Sequence, residues 1–169
     1  KNTRRAQTQP RTRREAAGNY HARAPVACGN GGSASDAQHI AAELSGRFYK
    51  ERRPLFAEAL HVNTSFVTAV ANDYGYDNIY SRMVEAAGKK LDILIGISTS
   101  GNSKNVVNAI LKAKEIGMTT VGFTGESSCE MDQICDTMIK IPSINTPRIQ
   151  EAHILIGHII CQLIEEELF

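Results

Sequence analysis

No apolar run in these 169 residues approaches the length of a membrane span, and no apolar signal segment stands near the first residue. A membrane protein is therefore not expected, and a cytoplasmic location is. The four cysteines, at positions 28, 129, 135 and 161, form no CxxC pair, so they read as buried free thiols in a reducing compartment. Residues 1–25, KNTRRAQTQPRTRREAAGNYHARAP, contain no Leu, Ile, Val, Met or Phe at all. Such a segment has nothing with which to bury a helix face, and disorder is its expected state. A large excess of charge is missing too. Of nineteen Lys and Arg, seven lie in residues 1–25, and of eighteen acids only Glu15 does, leaving twelve against seventeen in the rest. The body of the chain is thus mildly acidic and no nucleic-acid surface is expected, a basic arm in residues 1–25 being the alternative.

Nucleotide motifs are incomplete as well. In CGNGGSASDAQH, residues 28–39, a dinucleotide fingerprint beginning at Gly29 and Gly31 would end on a third glycine where Ala34 stands. The acidic residue expected about 20 residues on is missing from FYKERRP, and no Gly-Lys-Ser/Thr completes a P-loop. What remains is a short loop whose backbone can approach a phosphate or sugar hydroxyls, with Ser33 as N-cap of the helix that follows. A strand-to-helix turn with no ligand is the equal alternative.

What is present is an alternation. Short apolar strands are predicted at 25–28, 56–62, 92–97, 119–123 and 137–141, and helices at 33–47, 65–72, 77–88, 103–116, 129–134 and 147–168. Continuously apolar strands separated by helices predict a parallel sheet covered on both sides, with ligands at the carboxyl ends of its strands. At one such end, Ser98, Thr99, Ser100 and Ser103 bring four hydroxyls to a helix N-terminus, which favours an anion over a turn that Ser103 merely caps. The loop holds no lysine, which points to a monophosphate. On the first helix His39 and Glu43 are four apart and share a face. On the last, Gln150 and His158 stand roughly 12 Å apart on nearly one face, close enough to converge on a metal or substrate. His153 reads as a core histidine.

The blocks CGNGGSASDAQHIAAELSGR, ANDYG, ISTSGNS and RIQEAHILIGH, in this order and at this spacing, resemble the phosphoheptose isomerases of the sugar-isomerase (SIS) family over residues 26–169. The resemblance implies one SIS domain: a three-layer αβα sandwich, flavodoxin-like, with a five-stranded parallel sheet. It also implies a homotetramer with active sites built from more than one subunit. The implied activity converts sedoheptulose 7-phosphate to D-glycero-D-manno-heptose 7-phosphate through an enediol, the first step of nucleotide-activated heptose synthesis. Substrate contacts are implied at Asn30, Gly31, Gly32, Ser33, Glu43, Asn72, Asp73, Ser98, Thr99, Ser100, Ser103 and Gln150. The implied catalytic pair is Glu43 and His158, and the implied zinc ligands are His39, Glu43, Gln150 and His158. Glutamine is an unusual zinc ligand, so modest affinity is expected. Pro147 stands where some members carry an acid, and no contact is carried over there. Some SIS proteins only bind sugar phosphates or serve as replication-initiator-associating scaffolds; these lack the acid/base pair, which this chain has.

Overall fold

Strand β1, Pro25–Gly29, is buried after its first residue, as is β3, Ile93–Ile97, to which it is hydrogen-bonded. In the computed structural model, which describes residues 25–169, they form the middle of a five-stranded sheet with β2 (Glu58–Ala59), β4 (Thr119–Thr124) and β5 (Thr137–Lys140). The order is β2-β1-β3-β4-β5 and every pairing is parallel. Successive side chains of a strand face opposite ways, and here both faces are apolar. Val26, Cys28 and Leu94 join one core, with α2 (Thr64–Tyr74), α3 (Ile79–Ala87), α4 (Lys104–Ile116) and the short α5 (Met131–Ile134) on that side. Ala27, Ile95, Ile97 and Phe123 join the other, under α1 (Gly32–Ser45) and α6 (Thr146–Leu168). This is the expected αβα sandwich.

Three readings are corrected. The strand at 56–62 shrinks to Glu58–Ala59, because it lies at the sheet edge with only β1 to pair with, and Phe56 is 66% exposed. The helix at 77–88 opens with a separate 3₁₀ turn, Tyr76–Asn78, because Gly75 at φ 86° has already ended α2. Ser33 is not an N-cap: Gly31, at φ 54° and ψ −121°, holds that position, and Ser33 is buried in the first turn with its N–H donated to the Asn30 carbonyl. Residues 1–24 of the basic segment lie outside the described residues, and Pro25, grouped with them in the sequence, opens β1 instead. A proline is tolerated as the first residue of a strand.

Helices α1 and α6 run side by side in the same direction. A Cβ on Gly32 would lie 2.5 Å from the Gln150 amide nitrogen, and one on Gly157 2.7 Å from the Ile40 side chain. Both glycines thus let these side chains of the facing helix lie close against the backbone. Where α1 ends, Arg52 and Glu165 form an ion pair at 2.8 Å with side chains 1% and 2% exposed. The Glu165 carboxylate also accepts the N–H groups of Phe48, Tyr49 and Lys50 at 2.9, 2.8 and 2.8 Å. The Arg52 guanidinium donates to the carbonyls of Glu43, Leu44 and Gly46, the exposed end of α1. Hydrogen bonds to charged groups contribute about 1.5–3 kcal/mol each, so four on Glu165 offset a desolvation cost of several kcal/mol. Burial pushes the Glu165 carboxyl up, but the three backbone N–H groups and Arg52 outweigh it and hold it down at about 2.

Candidate active site

Strand order reverses between β1 and β3, the position where open α/β sheets place their ligands. Gly29 pairs with Ile97, so the glycine-rich and serine-rich loops leave the sheet at the same level. They are tied to one another by amides. Asn30 Nδ2 donates to Asn105 Oδ1 and Asn105 Nδ2 donates to Asn30 Oδ1, both at 2.9 Å. Tyr76 Oη donates to the same Asn30 oxygen at 3.1 Å, and the buried Tyr80 hydroxyl donates to the Gly29 carbonyl. The Asn30 side chain is thereby committed to holding the two loops at a fixed separation. Asn105, 2% exposed, is a site residue that sequence reasoning missed, because nothing local marks it and its partner Asn30 lies 75 positions away.

In the serine loop Ser98 Oγ lies 2.9 Å from Ser103 Oγ and 3.4 Å from Ser100 Oγ, and accepts the Gly101 N–H at 3.1 Å. Ser103 occupies the N-cap position of α4 but makes no side-chain cap bond, so its hydroxyl belongs to the loop rather than to the helix. Thr99 and Ser100 line a cavity of about 330 Å³ together with Gly125, Ser127, Ser143 and Thr146. Asn72 and Asp73, at the end of α2, are exposed and joined to each other at 2.8 Å. Their segment reaches the glycine loop through Tyr76.

The parallel packing of α1 on α6 brings His39, Glu43 and His158 together. His39 Nε2 is 3.1 Å from Glu43 Oε1 and 3.4 Å from His158 Nε2. One ligand atom from each residue falls within 4.8 Å of the others. Two imidazole nitrogens and a carboxylate are donors that zinc accepts, and a cation between the facing nitrogens would engage both. Three of the four ligands anticipated for a metal stand together, while the Gln150 amide lies against Gly32 at the start of α1. His153 is fully buried, bonded through Nε2 to the Thr124 carbonyl at 3.3 Å and packed edge-on against Phe123, a core residue as expected. The cysteines are free; Cys28 and Cys161 are fully buried, and burial raises the Cys161 thiol to about 11.

Residues 22–125 match the SIS domain family. The chain belongs to that family. It is 58% identical over 142 residues to a phosphoheptose isomerase of Clostridium acetobutylicum, covering 84% of this chain and 72% of that protein. A phosphoheptose isomerase of Helicobacter pylori is 57% identical over 138 residues, 82% of this chain and 72% of its own length. Among solved structures, a phosphoheptose isomerase from Francisella tularensis superposes with a TM-score of 0.83 at 35% identity, over 95% of this chain and 88% of that one. One from Neisseria gonorrhoeae gives 0.81 at 41% identity, over 90% and 84%. The fold of this SIS domain is thus that of the phosphoheptose isomerases.

Proposed function

We propose that this SIS protein is a ketose–aldose isomerase acting on sedoheptulose 7-phosphate. The observation that carries the reading is the assembled cluster of Glu43, His39 and His158, in a chain that also carries a hydroxyl-rich loop at a strand end and is 58% identical to a phosphoheptose isomerase. Moving a ketone to the neighbouring carbon requires a base for a carbon-bound proton and a group that exchanges protons between two oxygens. Glu43 takes the proton from C1 and the C1–C2 enediol forms. His158 moves a proton between O1 and O2, and Glu43 returns its proton to C2, giving the aldose. His39, bonded to Glu43 and in contact with His158, orients the carboxylate. A sensor or scaffold would have no use for this acid/base pair.

The phosphate is assigned to Ser98, Thr99, Ser100 and Ser103 at the N-terminus of α4, and the sugar to the backbone of Asn30, Gly31, Gly32 and Ser33, with Asn72, Asp73 and Gln150 around it. His39, Glu43, His158 and Gln150 would hold zinc, which would supply polarisation of the carbonyl. Active sites shared within a homotetramer are part of this reading. The exposed side chains of Leu155, Ile159 and Leu163 (59%, 46% and 55%) recur every four residues on α6 and offer an apolar stripe to another subunit. Among the described residues no helix is long and apolar enough to cross a membrane. Incubation with sedoheptulose 7-phosphate, followed by NMR, should yield an aldoheptose 7-phosphate; unchanged substrate with active-site zinc present and absent would refute the assignment.

A further inference from the structure

The segment between α1 and β2 contains no regular element until Glu58, yet residues 48–50 are tied to α6 by four hydrogen bonds. Phe48, Tyr49 and Lys50 donate three consecutive backbone N–H groups to the two oxygens of Glu165, and Lys50 Nζ donates to the Glu165 carbonyl at 3.1 Å. Arg52 closes the arrangement from the other side, joining Glu165 to the carbonyls that end α1. Both charged side chains are all but inaccessible, so nothing in solvent competes for these bonds. The side chain that this anchor places is Phe48. Its ring centroid lies 5.5 Å from that of His158, with an angle of 34° between the planes, and 4.3 Å from that of Tyr49. His158 thus has His39 against it at 4.9 Å, edge to face, and Phe48 against it as well.

We propose that Phe48 is a positioning residue for His158, held in place by the buried Glu165–Arg52 pair. The anchor spans the two helices that carry the acid/base cluster: Arg52 donates to the carbonyl of Glu43 itself, and Glu165 follows His158 by seven residues, two turns along α6. It therefore fixes the height of one helix relative to the other. The Phe48 ring then restricts the rotation of the imidazole about its side-chain bonds, leaving Nε2 directed at His39 and at the space between the helices. A proton-transferring group displaced by about an ångström can lose as much as a hundredfold in rate, while substrate affinity, set mainly by the two loops at the carboxyl ends of β1 and β3, changes little.

This inference rests on the assignment of Glu43 and His158 as the acid/base pair, and its test separates the two. Phe48→Ala should lower kcat at least about tenfold with KM changed less than about threefold, and Phe48→Tyr should restore kcat to within about threefold of the wild type. Glu165→Gln, which sets an amide N–H₂ against three N–H donors, should reproduce the Phe48→Ala pattern. Independently of turnover, the ring C–H resonances of His158 in histidine-labelled protein, assigned by their loss in His158→Gln, should move in Phe48→Ala while those of His153 stay. Wild-type kcat in Phe48→Ala, or an unmoved His158 resonance in that variant, overturns the proposal. A wild-type chain that fails to turn over sedoheptulose 7-phosphate refutes the isomerase assignment instead, and the resonance shift still decides whether Phe48 orders His158.

Discussion

Glu43 shares a face of α1 with His39, four residues back, which holds its carboxylate by a 3.1 Å contact. Replacing it by glutamine keeps that contact and removes the basicity. Glu43→Gln and His158→Ala are each expected to reduce turnover by at least about a hundredfold, the usual scale of general acid/base catalysis, with melting temperature nearly unchanged. Steady-state rates on sedoheptulose 7-phosphate with a thermal melt of each variant check this; near-normal turnover removes that residue from its role. The pairing of Glu43 with His39 was legible in the sequence because i, i+4 spacing on one helix is a local property, while the pairing of Glu43 with His158 came from the resemblance. The contact of His39 with His158, 119 positions apart, was legible only through the resemblance of four motif blocks. Asn105 was not legible, because its role exists only against Asn30 on a different strand end.

At the scale of elements, the serine loop and α4 behave as one unit. Ser98 binds back to Ser103 and to the Gly101 N–H, so the loop is shaped by its own hydroxyls before any ligand arrives. Ser98→Ala with Ser100→Ala should weaken substrate and inorganic phosphate binding by about tenfold or more, since two donors and the internal bonds disappear while the helix N-terminus remains. Calorimetric titration with phosphate measures it, and an unaltered affinity would move the phosphate elsewhere. The central strands and long helices were readable because their apolar pattern is continuous: β3 and α4 fall within a residue of expectation. The edge was not, since the run 56–62 is as apolar as a strand but has a partner on one side alone. The glycine turn was misread by two residues at Ser33, because a positive φ at Gly31 lets the helix start sooner than a serine cap would.

For the whole molecule, acid should be the sensitive direction. The Glu165 carboxyl is raised by burial but brought down to about 2 by Phe48, Lys50, Tyr49 and Arg52, and the bond from Lys114 leads in lowering Asp136 to about 2. A carboxylate whose folded value lies below its unfolded one stabilises the fold fully above the unfolded value, and that contribution disappears as pH falls through the folded one. Stability should therefore decline between about pH 4.5 and 2, with Glu165 contributing more than the half-exposed Asp136. Circular dichroism against pH should show a shallower acid transition in Glu165→Gln than in the wild type; parallel curves would mean that the anchor carries none of this dependence.

The hydroxyls and peptide N–H groups of the 98–103 loop have one more consequence. None of them gains or loses a proton anywhere near neutrality, and no cationic side chain lies within the loop itself. A grip of that kind is blind to the acidity of the medium. If the loop holds a phosphate as proposed, a pH dependence of that grip should arise in the ligand, whose second ionisation falls near pH 6, rather than in the loop's own groups.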